Sequence, residues 1–127
     1  MKVIITGATG FVGSHLLAFF RRNGVEAITI SNSSNDCKNF TYNAFFNNEV
    51  RSSDVDVLIH LSGAAHRIYT DEEAENINFN LTKKVVDKCI ALKIPKIIFL
   101  STVNIYEEQD SKINLSTQFS DSLVNTA

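Results

Sequence analysis

Hydrophobic and polar positions in this chain alternate in blocks rather than residue by residue. Short, mostly apolar runs fall at Lys2 to Thr6 (KVIIT), Glu26 to Ser31 (EAITIS), Asp56 to Leu61 (DVLIHL) and Lys96 to Ser101 (KIIFLS). Runs of this length predict strands buried on both faces of a parallel sheet. Between them the apolar period lengthens to that of a helix. Over Phe11 to Asn23, Val12, Leu16, Phe19 and Phe20 recur at helical spacing. Arg21 and Arg22 stand where the helix dipole favours cations, and Gly24 supplies a stop. In a second helix Ala74, Ile77, Leu81, Val85, Cys89 and Leu92 form one face until Pro95 forbids continuation. Its start is written in Thr70-Asp71-Glu72-Glu73, a capping box whose hydroxyl and carboxylate take up unpaired backbone N–H groups. Asn32 to Asn39 is polar and turn-rich, a surface loop. Phe40 to Tyr42 is a weaker strand signal and Ala44 to Ser52 a weaker helix signal.

Strands and helices in this alternation predict an α/β fold, a doubly wound parallel sheet with right-handed crossovers. The pattern covers residues 1–106 and then fades. Residues 107–127 read as a polar tail leading to a missing C-terminal part, so the sheet is expected to be incomplete on its C-terminal side.

Composition narrows the function. The 127 residues suffice for one apolar core, and 44% hydrophobic with 20% charged residues are globular values. A net charge of -2 gives no electrostatic reason to expect nucleic acid or an anionic membrane as partner. Cys37 and Cys89 show neither C-x-x-C spacing nor a nearby histidine pair, so no metal site is expected. No secretory cleavage pattern and no apolar run of spanning length occurs. A cytoplasmic setting is the expectation.

The candidate chemistry begins at Ile5 to Gly13, ITGATGFVG. Such a stretch is either a ligand-free turn or a cradle for phosphates. A backbone passing close to a pyrophosphate must carry no Cβ there, and a helix starting beside it aims free N–H groups at the anion. Gly7 would make the tight turn, Gly10 would admit the phosphates, and Gly13 would let the helix pack on the sheet. The strand before and the helix after favour the cradle. His60, flanked by Ile59 and Leu61, reads as a satisfied buried side chain and is assigned no chemistry. Asn78 falls near the sheet-facing side of its helix, where an amide needs partners.

The G-x-x-G-x-x-G spacing in TGATGFVGSHL resembles the extended branch of the short-chain dehydrogenase/reductase superfamily, the NAD-dependent epimerase/dehydratase family of nucleotide-sugar enzymes. DVLIHLSGAA is similar to the family's fourth strand. NINFNLTKKVVDKCIALKIPKIIFLST is similar to its next helix and strand, and STVNIY to its active-site strand end. The resemblance implies a Rossmann fold and a cofactor held by Gly7, Gly10, Phe11, Val12, Gly13, Ser31, Asn32, Leu61, Ser62, Gly63, Asn78 and Ser101. It implies Thr102 as the catalytic hydroxyl, four residues before Tyr106; His66, in the loop expected after the Asp56 to Leu61 strand, is a candidate substrate contact by its position alone. NAD is the expected dinucleotide, since Ser31 can bond a ribose hydroxyl and no arginine follows to attract a 2′-phosphate; NADP stays open, because Ser31, Asn32, Ser33 and Ser34 carry no charge to repel one. The implied partner is a UDP- or dTDP-sugar, with pairing of two copies in the complete protein.

Two departures stand out. The family's N-x-x-G-T pattern has Leu81 in place of its glycine, although Thr82 is kept. The Y-x-x-x-K pair, in which a lysine one helical turn on lowers a tyrosine's pKa for proton transfer, is missing. Tyr42, Tyr69 and Tyr106 have no lysine four positions later, and Lys112 has no tyrosine four before it. The chain alone is therefore expected to bind cofactor without turning over substrate. A non-catalytic dinucleotide sensor is the alternative.

Overall fold

The computed structural model describes residues 1–33, 38–63 and 70–100. Five strands, β1 (Lys2–Thr6), β2 (Glu26–Ile30), β3 (Asn39–Phe40), β4 (Val57–His60) and β5 (Ile97–Phe99), lie in the order β3-β2-β1-β4-β5. Every pairing is parallel. The chain winds outward from β1 through β2 to β3, then returns to the other side of β1 as β4. Strand order thus reverses between β1 and β4, and in such sheets the crevice beyond the strand carboxyl ends at that reversal receives ligands.

Helices α1 (Phe11–Arg22), α2 (Tyr42–Phe46), α3 (Asp71–Glu75) and α4 (Leu81–Ala91) complete the described elements, with a π-helical turn, Asn76–Asn80, joining α3 to α4. Strand side chains alternate between two cores. Val3, Ile5, Ala27, Val57 and Ile59 pack with Leu16, Leu17 and Phe20 of α1. Ile4, Ile30 and Leu58 pack with Phe45 of α2 and with Val85 and Cys89 of α4. A central strand covered on both faces explains the unbroken apolar run: Val3, Ile4 and Ile5 are all 0% exposed.

The helices differ from the sequence expectation in phase and length. In α1 the inward face is Gly13, Leu16, Leu17 and Phe20, while Val12 and Phe19 are exposed. Backbone contact at Gly13 fixes the rotation of the helix, and the residues three, four and seven positions on follow it inward. Helix α2 starts earlier and is shorter than 44–52. Thr41 caps it by accepting the Ala44 N–H at 3.1 Å, and Asn48, at φ 63°, turns the chain so that Val50 enters the core. Lys88 of α4 donates to the Phe46 carbonyl at 3.3 Å, placing a cation at the negative end of α2.

The capping box forms as the sequence implies: Thr70 accepts the Glu73 N–H at 3.2 Å and Glu73 accepts the Thr70 N–H at 2.8 Å. Helix α4 ends before Pro95 acts. Lys93 adopts φ 55°, and the Ile94 N–H returns to the Cys89 carbonyl at 3.1 Å, seating Ile94 in the core.

A Cβ at Gly13 would lie 2.2 Å from the Gly7 carbonyl oxygen and 2.7 Å from the Ala8 Cα, backbone atoms that cannot yield without moving β1 or α1. Gly13→Ala is expected to lower stability by about 3 kcal/mol or more. Gly24→Ala, at φ +68° with open space around it, should cost only about 1 kcal/mol. Urea denaturation of the two variants checks the contrast.

Candidate functional site

The turn after β1 is built from backbone alone. Gly7 sits at φ +72°, and a Cβ on it would meet the Ser62 nitrogen at 2.7 Å and the Leu61 carbonyl carbon at 2.8 Å. The glycine turn and the turn after β4 are therefore in direct contact at the strand-order reversal. Gly10 closes the turn with its N–H on the Gly7 carbonyl at 3.1 Å. Its own φ of -75° and ψ of 176° suit any residue. A Cβ there would find its nearest neighbour, the Gly7 oxygen, at 3.4 Å, an ordinary contact. Nothing inside the fold demands glycine at this position, unlike Gly7 and Gly13.

Helix α1 begins at this open side. Gly10 precedes it without any side-chain cap, and its first turn carries no acidic residue. The N–H groups of Phe11, Val12 and Gly13 come before the first helical acceptors, at the positive end of the dipole. Phe11 and Val12 flank them as exposed side chains, 80% and 47% accessible. The arrangement offers an anion three donors without a countercharge.

Two further walls flank the turn. After β2, Ser31 is buried and its hydroxyl accepts the Ser33 N–H at 3.2 Å, so Asn32 and Ser33 hold the exposed positions. Asn32 Oδ1 accepts the Tyr42 N–H at 3.2 Å, which fixes the amide of this exposed residue. Thr9 of the glycine turn stands 3.5 Å from the Ser33 hydroxyl. After β4, Leu61 and Ser62 are half-buried and Gly63 is exposed. A Cβ on Gly63 would find Asn78 Oδ1 at 3.6 Å. Asn78 itself is exposed, contrary to the sheet-facing position read from its spacing. It lies within the π-helical turn, where the winding departs from the helical period on which that reading relied, and stands beside Gly63 above the strand ends.

Beneath these walls runs a chain of side-chain hydrogen bonds. Thr6 and His60 face each other in the β1–β4 register. Thr6 Oγ1 lies 2.6 Å from His60 Nδ1, and His60 Nε2 lies 2.8 Å from Thr82 Oγ1 of α4. His60 is 0% exposed and stacks on Phe99 at 5.8 Å. Burial pushes its pKa below the ordinary imidazole value, so the ring is neutral, a donor at one nitrogen and an acceptor at the other. As the sequence implied, it is a satisfied buried histidine. Tyr42 is the site residue that sequence reasoning missed. Its hydroxyl bonds Ser62 Oγ, and burial raises its pKa while the neighbouring hydroxyls of Ser62 and Thr6 oppose the rise. The only signal was a tyrosine just past a short strand, and the test applied to it was for a lysine four positions on.

Ser34, His66, Ser101, Thr102, Tyr106 and the tail 107–127 lie outside the described residues. Among the described residues no His, Cys, Asp and Glu group could hold a metal ion, and no helix is long and apolar enough to cross a membrane.

The family model "NAD dependent epimerase/dehydratase family" matches residues 3–124. CDP-abequose synthase from Salmonella typhimurium is 28% identical over 120 residues, 85% of this chain and 40% of that protein. The chain thus spans well under half the length of this curated relative. The crystal structure of UDP-N-acetylglucosamine 4-epimerase from Bacillus cereus aligns at a TM-score of 0.70 and 25% identity, over 86% of this chain and 38% of that one. A human epimerase family protein with NADPH aligns at 0.82 and 18% identity, over 99% of this chain and 47% of that one. That last likeness speaks for the fold alone, a Rossmann sheet.

The neutral His60 carries a pH dependence. Below the ordinary imidazole pKa of about 6.5 the unfolded chain takes up a proton that the folded chain refuses, so stability is fully present above that value and falls as the pH drops below it. Glu73, whose carboxyl is held low by the Thr70 backbone and side-chain bonds, loses its contribution only in the more acidic carboxylate range. Urea midpoints at about pH 7.5 and about pH 5.5 should differ in wild type and differ less in His60→Asn.

Proposed function

Because this chain belongs to the NAD dependent epimerase/dehydratase family, we propose that it binds a dinucleotide, NAD first, across the crevice between β1 and β4, as the cofactor-binding part of an oxidoreductase acting on a nucleotide sugar. The observation that carries the reading is Gly10. Gly7 and Gly13 are required by the packing of the chain on itself, whereas the open side of Gly10 has no internal use and lies against the uncapped start of α1. A pyrophosphate is the group that such a surface suits.

The remaining residues take their places from this. The N–H groups of Phe11, Val12 and Gly13 hold the phosphates. Asn32 and Ser33 offer hydrogen-bond donors to the adenosine ribose, with Ser31 supporting them from beneath. Leu61, Ser62, Gly63 and Asn78 line the opposite wall, and Ser101 keeps the cofactor-binding role that the family resemblance implies. Thr102 bonds the sugar oxygen where charge develops. The dinucleotide, when bound, supplies the group that takes a hydride from a sugar carbon and gives it back. That the substrate is a nucleotide sugar is supported by the relatives, whose names carry CDP- and UDP-linked sugars.

These 127 residues contain no Y-x-x-x-K pair, so the chain by itself is expected to show no turnover of UDP-, CDP- or dTDP-sugars. A second reading, a dinucleotide sensor, shares the binding site and differs in lacking turnover in the whole protein. Calorimetric titration with NAD and with NADP is the direct test, and heat from neither would end the dinucleotide reading. Gly10→Ala should weaken binding by about tenfold or more while leaving the thermal unfolding midpoint in place. A variant that binds as well as wild type would remove the central support.

A further inference from the structure

Tyr42 reaches two walls of the crevice at once. Its backbone N–H donates to Asn32 Oδ1 at 3.2 Å, and its hydroxyl bonds Ser62 Oγ. In the sheet, β2, β1 and β4 are neighbours in that order. Asn32 follows β2 and Ser62 follows β4, on either side of β1, so one residue of α2 spans the strand ends on which the dinucleotide is proposed to lie. The Tyr42 ring stands firmly enough to do this. It packs against the core shared by α2 and α4 and stacks on Phe46 at 6.1 Å.

We propose that Tyr42 is a positioning residue that sets the two walls of the dinucleotide crevice, holding Asn32 through its backbone N–H and Ser62 through its phenolic hydroxyl. The claim rests on the dinucleotide reading for its purpose, but the strut itself is a property of the ligand-free chain.

The hydrogen bonds define what each wall presents. Asn32 has one lone pair of its oxygen on Tyr42, which anchors the amide and leaves its Nδ2 donors and the second lone pair for a ligand. Ser62 and Tyr42 are two hydroxyls joined by one bond. Either hydroxyl can donate, so the bond runs in one of two directions. In one, Ser62 donates to Tyr42 and offers a ligand only its lone pair. In the other, Ser62 accepts from Tyr42 and its own O–H is free for a ligand oxygen. Tyr42 therefore fixes where the Ser62 hydroxyl stands while leaving both polarities open to it.

Tyr42→Phe removes the hydroxyl while keeping the ring, the backbone N–H and hence the hold on Asn32. Amide hydrogen exchange in the ligand-free protein should accelerate over residues 61–63 in this variant. NAD affinity should fall roughly three- to tenfold, at a temperature where circular dichroism shows wild type and variant equally folded. Tyr42→Phe combined with Ser62→Ala should bind no more weakly than the worse single variant, because both cut the same bond. Unchanged exchange over 61–63, unchanged affinity in Tyr42→Phe, or additive losses in the double variant would each overturn the strut. If wild type binds neither NAD nor NADP, the dinucleotide reading fails separately, and the exchange rates alone decide whether Tyr42 holds the turn.

Discussion

Backbone pressed on backbone at the end of β1 is the constraint from which the rest of the molecule follows. Gly13 lies against Gly7, and Gly7 lies against Leu61 and Ser62, at distances that leave no room for a Cβ. These contacts bring the glycine turn and the start of α1, which follow one another in the chain, into one patch with the distant turn after β4. They also set the rotation of α1, and with it the choice of Leu16, Leu17 and Phe20 as the packed face. Because hydrogen-bonding groups in such a patch have no side chains to cover them, the N–H groups at the head of α1 stay available to a ligand.

A second layer lies underneath, and it is polar. Protein interiors accept polar side chains when each finds a partner. Thr6 and His60 are fully buried at the carboxyl ends of the central strands, yet both are bonded. Apolar residues at these positions would fill the space as well, but they could not fix the height and direction of the turns above them. Hydrogen bonds are directional in a way that hydrophobic packing is not. The lower halves of β1 and β4 are held by area, and their upper ends by geometry.

Much of this was legible in the sequence, and what was not has physical reasons. The runs KVIIT and DVLIHL announced their strands because burial on both faces leaves no polar position at Val3, Ile4 and Ile5 or at Val57, Leu58 and Ile59. The capping box was readable because both of its partners lie within four residues. The glycine code was readable because the requirement for no side chain is itself a sequence mark. Failures came where a tertiary contact overrode a local period: Gly13 turned α1 away from the face read through Val12 and Phe19, and the π-helical turn carried Asn78 out to the surface. Tyr42 was illegible because its meaning lies in Ser62, twenty positions away, and in a strand-end neighbour that only the folded sheet supplies.

The π-helical turn has a bearing on how such a chain tolerates changes in length. Each residue of an ordinary helix adds about 100° of rotation, so losing one residue from Asn76 to Asn80 would swing one half of the helix relative to the other. Val85 and Cys89 anchor the α4 half in the core, whereas α3 contributes no buried residue. The α3 half would be the one to turn, carrying Asn78 away from Gly63 and leaving the sheet undisturbed. This turn is a place where an insertion or deletion could alter the wall of the site without endangering the core, and so where closely related chains could diverge in recognition while keeping one architecture.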